Sequence, residues 1–330
     1  MTFTETPPAS AVGTGRSCGK AILLGEHTVV YGLPAIAVPL PDLPVTATAC
    51  SPNTRPIVDD PAQQGDAHGD ATTVRFTYRP GAAAEADSGA AAAVRAALRR
   101  WGSGSADVEV TVRSAIPPAR GLGSSAACAV AAVRAVADLH ARSLDHATLH
   151  ELAQCGERLV HGRASGVDAA AVATTGPILF HAGDVRPLIT GTAATLVVAD
   201  SGEPGDTRQA VDSVWTTLHR ERANAQRLLA RAGEIIDAAT VDLTAGRTAA
   251  LGMRLIEFQA LLRELGVSTS SLDRLIATAL RAGAHGAKLT GGGFGGCMVA
   301  LTEPDAAPAV CRELRAAGAC RTWTVPMWGW

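Results

Sequence analysis

An excess of charge of either sign is the first thing this chain lacks: 29 Lys and Arg face 31 Asp and Glu, a formal net charge of -2. Such a chain has no bulk field to hold a nucleic acid or an anionic membrane surface, so neither is expected as a partner. It also lacks any Cys-x-x-Cys pair. The seven cysteines (Cys18, Cys50, Cys128, Cys155, Cys297, Cys311 and Cys320) are odd in number and scattered. That excludes a disulfide framework or zinc site and reads as reduced, mostly buried thiols in a cytoplasmic protein. No uncharged apolar run reaches the roughly 18 residues that span a bilayer; Arg134 and Asp138 interrupt the longest one. The opening MTFTETPPASAVGTGRS has neither a basic stretch nor an apolar core, so residues 1–15 are expected to form a mobile tail and not a signal peptide. Aromatic residues are only 4% of the chain, which makes the ending VPMWGW unusual. A packed terminal strand explains it, with a partner-binding tail as the alternative.

With 330 residues, 47% of them hydrophobic, the chain is long enough for two packed domains or one large one. Apolar, β-rich runs at 20–24 and 34–40 flank a glycine-containing turn. VTATAC and TTVRFTY alternate as strands do, with the polar stretch 51–71 as a loop between them. Alanine-rich 88–101 reads as a helix, DVEVTVRSAI as a strand ending at two prolines, and 124–140 and 145–161 as further helices. GPILF and ATLVVAD are later strands. From 207 to 283 the apolar period is helical, in three or four segments broken near Gly246 and Gly266. A strand–loop–strand at 286–301, a helix at 305–317 and a strand near 320–326 follow. No internal repeat is visible. Strands and helices alternate irregularly, unlike a doubly wound sheet, and a boundary near residue 190 divides the chain into expected domains 16–190 and 191–330.

Three glycine-rich segments stand out: CGKAILLGEHTVVYG, PPARGLGSSAA and KLTGGGFGGC. With Lys20 in the first and serines in the second, they point to main chain packed around a polyanionic ligand. In the second, Gly121 and Gly123 permit positive φ and close approach of a ligand. Ser124 or Ser125 is placed to cap the helix that follows. The start of that helix carries N–H groups without intrahelical partners and a partial positive charge, the usual seat of a phosphate. An ordinary glycine turn with a serine cap is the plain alternative. This is not a Walker loop, since no Gly-Lys-Ser/Thr follows its glycines. Nor is it a dinucleotide fingerprint, since the glycine spacing differs and no acidic residue ends a following strand.

Glu157 and His161, four apart, face one side of a helix. Asp168 follows Ser165-Gly166, a turn able to aim a carboxylate into a cleft or simply to form an Asx-turn or cap. His146 and His150 also have helical spacing, but no third ligand accompanies them and a metal site is not expected there.

The three segments, with ERLVHGRASGVDAA, resemble the GHMP kinase family in the family's order, across residues 17 to 300. Within that family they look most like the mevalonate-kinase branch. The resemblance implies an α+β, two-domain GHMP kinase fold: a ribosomal-protein-S5-like N-terminal domain and a helix-rich, ferredoxin-like C-terminal domain. It implies ATP as co-substrate, Mg²⁺ as cofactor, and transfer of the γ-phosphoryl to the C5 hydroxyl of (R)-mevalonate on the route to isoprenoids. A homodimer is among the assemblies it leaves open. Two rivals stand beside it. One is a kinase of the same fold acting on galactose, homoserine or phosphomevalonate. The other is a non-catalytic sensor, against which the intact set Lys20, Ser125, Glu157 and Asp168 speaks.

Residue by residue, the resemblance implies that Asp168 is the catalytic aspartate and takes the proton of the substrate hydroxyl. Lys20 belongs near it and near the transferred phosphate, where an ammonium keeps a carboxylate ionised and stabilises developing negative charge. Ser125 and Glu157 match the Mg²⁺ ligands and Ser114 an ATP contact. The loop Pro118, Ala119, Arg120, Gly121, Leu122, Gly123, Ser124 and Ser125 matches the phosphate cradle, and Gly292 and Gly293 belong to a loop that closes over the phosphates through its backbone. Glu26 and His27 match the substrate side, with a histidine donor suited to a carboxylate-bearing alcohol. Thr207 is a weaker match to the same cleft, with a capping role as the alternative. Four departures concern loop geometry: Cys18 and Ala164 stand where the family often has proline, Arg120 is bulky with a side chain toward solvent or nucleotide, and Phe294 enters a loop of small residues.

Overall fold

The computed structural model describes residues 12–51, 72–78, 89–103, 107–161 and 165–328. The expected tail up to residue 11, nearly all of the 51–71 loop, Ala164 and the last two residues of VPMWGW lie outside them. The chain divides into two compact units. The first comprises Met1–Gly19, Leu43–Pro117 and Gly123–Ala173, the second Lys20–Asp42, Pro118–Leu122 and Thr174–Trp330. Neither is a continuous stretch of chain, whereas the sequence reading expects one boundary near 190. Composition reports on neighbours in sequence, whereas strands recruit partners from far along the chain.

β1 (Val12–Leu24), whose first eight residues belong to the first unit, begins inside the stretch expected to be a tail. The two strands expected at 34–40 and 45–50 are one, β2 (Ala35–Cys50). It runs through Pro39, Pro41 and Pro44 because these lie between its two paired segments, Ala35–Ala37 and Val45–Cys50, where a missing N–H costs no bond of those ladders. Its second half pairs antiparallel with β4 (Val108–Ser114), which pairs in turn with β3 (Thr72–Tyr78). Three helices, α1 (Gly89–Arg100), α2 (Ser124–Leu139) and α3 (His146–His161), pack on one another, and a fourth, α4 (Val167–Ala173), was not anticipated. Alanines and valines are buried all around α2, the signature of a helix enclosed by its neighbours. Small residues let backbones approach. A Cβ added to Gly15 on β1 would lie 2.0 Å from the Ala131 carbonyl oxygen of α2.

In the second unit, β7 (Thr195–Asp200), β8 (Gly286–Thr290), β9 (Cys297–Thr302) and β10 (Arg321–Pro326) form an antiparallel sheet in the order β10-β7-β9-β8. Separately, β5 (Ile178–His181) pairs with the first half of β2 and with β6 (Asp184–Pro187). The helical region consists of α5 (Thr207–Arg220), α6 (Arg222–Thr244), α7 (Thr248–Glu264) and α8 (Ser270–Arg281). Gly246 and Gly266, at φ 71 and 75, stand at two of the breaks, as the sequence indicates. The last helix, α9 (Ala307–Ala316), packs on β7 and β10. Every residue of β7, β8 and β9 is buried, so these three strands are covered on both faces, while the edge strand β10 is largely exposed. No helix among the described residues is long and apolar enough to cross a membrane. Of the cysteines only Cys297 and Cys311 are buried, Cys320 is exposed and the rest are intermediate. That corrects the expectation of mostly buried thiols.

Two alanine substitutions should separate packing from backbone effects. Gly15→Ala forces a methyl into the α2 backbone and should destabilise the protein by about 1–3 kcal/mol. Gly233→Ala, in α6, meets only Leu33 at 3.7 Å and should be neutral or stabilising by up to about 1 kcal/mol. Urea unfolding of both variants measures the contrast.

Candidate active site

In the second unit, segments distant in sequence meet around the residues 118–122. The Lys20 backbone N–H donates to the Leu122 carbonyl at 3.0 Å, and its ammonium donates to the Gly121 carbonyl, also at 3.0 Å. Lys20 is buried, so a charged head is held under the loop. Across from it, a Cβ on Gly291 would sit 2.8 Å from Gly121 Cα and one on Gly121 would sit 3.1 Å from Gly291 Cα. Only glycines fit both positions, which also have positive φ. The neighbouring side chains turn elsewhere. Arg120 Nε lies 2.9 Å from Asp200 Oδ1, and its Nη2 donates to the Gly202 carbonyl at 3.2 Å. The Arg120 side chain is thus turned onto the 200–202 turn and not out into solvent. Asp200 ends β7, and the Gly205 N–H donates to the Ala119 carbonyl at 2.8 Å, so the 200–206 turn braces the loop.

Gly292 and Gly293 sit in the same assembly. A Cβ on Gly292 would lie 3.3 Å from Thr207 Oγ1, which places Thr207 at the first residue of α5 beside the glycine loop. The α5 cap is Asp206, whose carboxylate accepts from Gln209 N, so the capping reading of Thr207 falls away. His27 Nε2 lies 2.8 Å from the Gly292 carbonyl. A carbonyl only accepts, so Nε2 carries the proton, and in the neutral ring Nδ1 offers a lone pair. Burial lowers the His27 pKa from 6.5 to about 4, outweighing the bond to Gly292, and nearby Lys288 lowers it further. The expected histidine donor is therefore a neutral ring whose donor is already used.

Glu26 is buried and ion-paired with Lys288, which is wholly buried on β8. Burial raises the Glu26 pKa and lowers that of Lys288, each partly opposed by the other's charge. Sequence reading missed Lys288. The only signal for it was a lysine inside an apolar strand.

In the first unit, the expected serine cap of α2 is absent. Gly123, at φ 76, occupies the cap position and no side chain bonds there. The first N–H groups of α2 are thus left without a serine cap, and they carry the positive end of the helix. Ser124 and Ser114 instead bond the Cys128 thiol, whose pKa burial raises, and Ser114 Oγ also accepts from Ile116 N at 3.2 Å. Ser125 and the segment of Glu157 converge on the start of α1: a Cβ on Gly89 would lie 3.1 Å from Ser125 Oγ and 3.2 Å from the Gly156 carbonyl oxygen. Glu157 itself is 5% exposed. The His161 side chain lies outside the described residues. Asp168 stands in the first turn of α4, half-buried, after Gly166 at φ 95. His150 Nε2 lies 3.0 Å from the Gly166 carbonyl and holds that turn. No group of three or more His, Cys, Asp or Glu suited to a metal exists among the described residues.

Comparison with known proteins places these features in a family. The model of the GHMP kinases N terminal domain matches residues 88–176 and that of the GHMP kinases C terminal region matches 240–320. The mevalonate kinase of Thermococcus gammatolerans is 34% identical over 311 residues, 91% of each chain. That of Aeropyrum pernix is 33% identical over 295 residues, 86% of each chain. A crystal structure of L. major mevalonate kinase in complex with R-mevalonate is 26% identical, covers 98% of this chain and 100% of that one, and superposes with a TM-score of 0.78.

The neutrality of His27 has a measurable cost in acid. A histidine whose folded pKa is depressed contributes stability that is present above its unfolded pKa and lost as pH falls through the folded value. The window runs from 6.5 down to about 4. Over it the wild type should lose up to about 3 kcal/mol through this group. Urea denaturation of wild type and His27→Gln across that range should show the two curves converging in acid.

Proposed function

The chain belongs to the GHMP kinase family, and we propose that it phosphorylates the C5 hydroxyl of (R)-mevalonate with ATP. The observation that carries this reading is its similarity, over most of both chains, to mevalonate kinases. The C5 oxygen attacks the γ-phosphorus, the bond to the β,γ-bridging oxygen breaks, and ADP leaves. Positioning and charge stabilisation do most of such work. Asp168 takes or orders the hydroxyl proton. Lys20 stabilises charge on the transferred group, and the main-chain N–H groups of 119–125 cradle the phosphates beside Gly292 and Gly293. Ser114 serves the nucleotide and Thr207 the substrate end. His27, with Nδ1 as acceptor, orients a substrate hydroxyl.

Ser125 and Glu157 would hold Mg²⁺. A hydroxyl and a carboxylate are the hard oxygen donors this ion accepts, and it commonly takes one or two protein groups with phosphates and waters completing its shell. When bound, the ion neutralises phosphate charge.

A substrate panel with coupled ADP detection tests the assignment. Mevalonate should exceed galactose, homoserine and phosphomevalonate in kcat/KM by at least ~10³, about 4 kcal/mol of transition-state discrimination. His27→Ala should erode that margin more than it weakens ATP binding. Equal turnover of galactose or homoserine would sink the substrate, and no turnover of any alcohol would favour a sensor. Asp168→Asn should lower kcat by roughly 10²–10⁴ with ATP affinity kept; near-wild-type turnover would remove Asp168 from the chemistry. Ser125→Ala and Glu157→Gln should each raise the Mg²⁺ requirement and combine less than additively, as expected of two groups on one ion. Full additivity with unchanged Mg²⁺ dependence would count against a shared ion.

A further inference from the structure

Lys288 is among the largest wholly buried side chains, and none of the roles above uses it. It projects from the same face of β8 as Thr290, because alternate residues of a strand share a face. Thr290 Oγ1 donates to the Ile22 carbonyl at 3.0 Å and accepts from Ile22 N at 2.9 Å. Lys288 reaches Glu26, and beyond the strand end the Gly292 carbonyl receives His27. Three successive ties thus bind 22–27 to 288–292. The middle one alone carries charge.

We propose that the Glu26–Lys288 pair is a positioning device for the substrate side of the site: Lys288 holds Glu26, and thereby the turn that carries His27, while neither side chain touches the substrate. The inference rests on the reading above in which His27 faces mevalonate. Three observations support it. Glu26 is 4% exposed and Lys288 0%, so the two charges answer each other away from bulk water. His27 has φ 62, a conformation that a non-glycine residue keeps only when its surroundings enforce it. The ammonium is itself fixed, donating to the Leu289 carbonyl at 2.6 Å while Gln259 Oε1 accepts from Leu289 N at 3.0 Å. A buried ion pair is a weak source of stability compared with apolar groups of similar volume, so its value here lies in placement.

The full-length protein tests this through Lys288→Met, Glu26→Gln and the double variant, by thermal unfolding and by kinetics with mevalonate and ATP varied separately. Each single variant leaves a buried partner uncompensated and should lower Tm. The double variant removes both charges and should recover Tm to within about 3 °C. Its KM for mevalonate should nevertheless stay raised about tenfold while KM for ATP stays within about twofold. Recovery of both Tm and the mevalonate KM would reduce the pair to core packing and overturn the proposal, as would an equal rise in both KM values. Glu26→Asp covers the case in which the double variant stays unstable. It keeps the charge, shortens the reach by one methylene, and should raise the mevalonate KM selectively at near-wild-type Tm; wild-type kinetics there would also overturn the proposal. If the wild type prefers another alcohol, the substrate reading falls by itself, and the same variants judge the pair with that alcohol.

Discussion

Main chain lies on main chain where residues 118–122 meet 290–296, and no side chain has room between them. Much else in the second unit follows from that contact. Gly121 and Gly291 make it sterically possible, while the residues beside them send their groups outward, Arg120 to Asp200 and Phe294 N to the Val267 carbonyl. Ala119, Phe294 and His27 accept positive φ, each at a cost of order 1 kcal/mol or more. Such strain persists because the surrounding hydrogen bonds leave the backbone no alternative. The product is a set of loops whose peptide groups, more than their side chains, are offered to a ligand, which suits a polyphosphate.

Electrostatics divides between two buried lysines. Lys20 hands its ammonium to the Gly121 carbonyl, and Lys288 is answered by Glu26. Lys20 is close enough to lower the pKa of both Glu26 and Lys288. One carboxylate therefore sits among two cations in a low-dielectric setting, where interactions are stronger than in water. His27, beside them, is kept neutral by burial and by Lys288. A neutral ring with one nitrogen unprotonated can accept a hydrogen bond but adds no charge.

Local pattern made much of the architecture legible. Helices with a clear local signature, such as α1, α2 and α3, lie within a residue or two of their expected limits. The glycine-rich loops were visible because glycine spacing is a property of neighbours. What escaped was set by partners far away in sequence. Two separate strands were expected within β2, yet it is continuous, with its prolines outside the segments paired to β4 and β5. The seven residues of α4 are too few for a helical period to show. The ion pair of Glu26 was not legible, since nothing near it in sequence announces a lysine 262 positions away. That of Arg120 was hidden for the same reason, with Asp200 80 positions on.

The interleaving of the two units bears on how the chain is made. Residues 20–42 leave the ribosome early, but Ile22 must wait for Thr290, 268 positions later, before its backbone groups find their side-chain partner. At ordinary elongation rates of about 5–20 residues per second, that delay is on the order of ten to fifty seconds. Throughout it, an apolar segment that includes Leu23, Leu24 and Ile36 is without much of the unit that will bury it. A transcript cut short before β8 yields a product that lacks the strand on which residues 22–27 fasten.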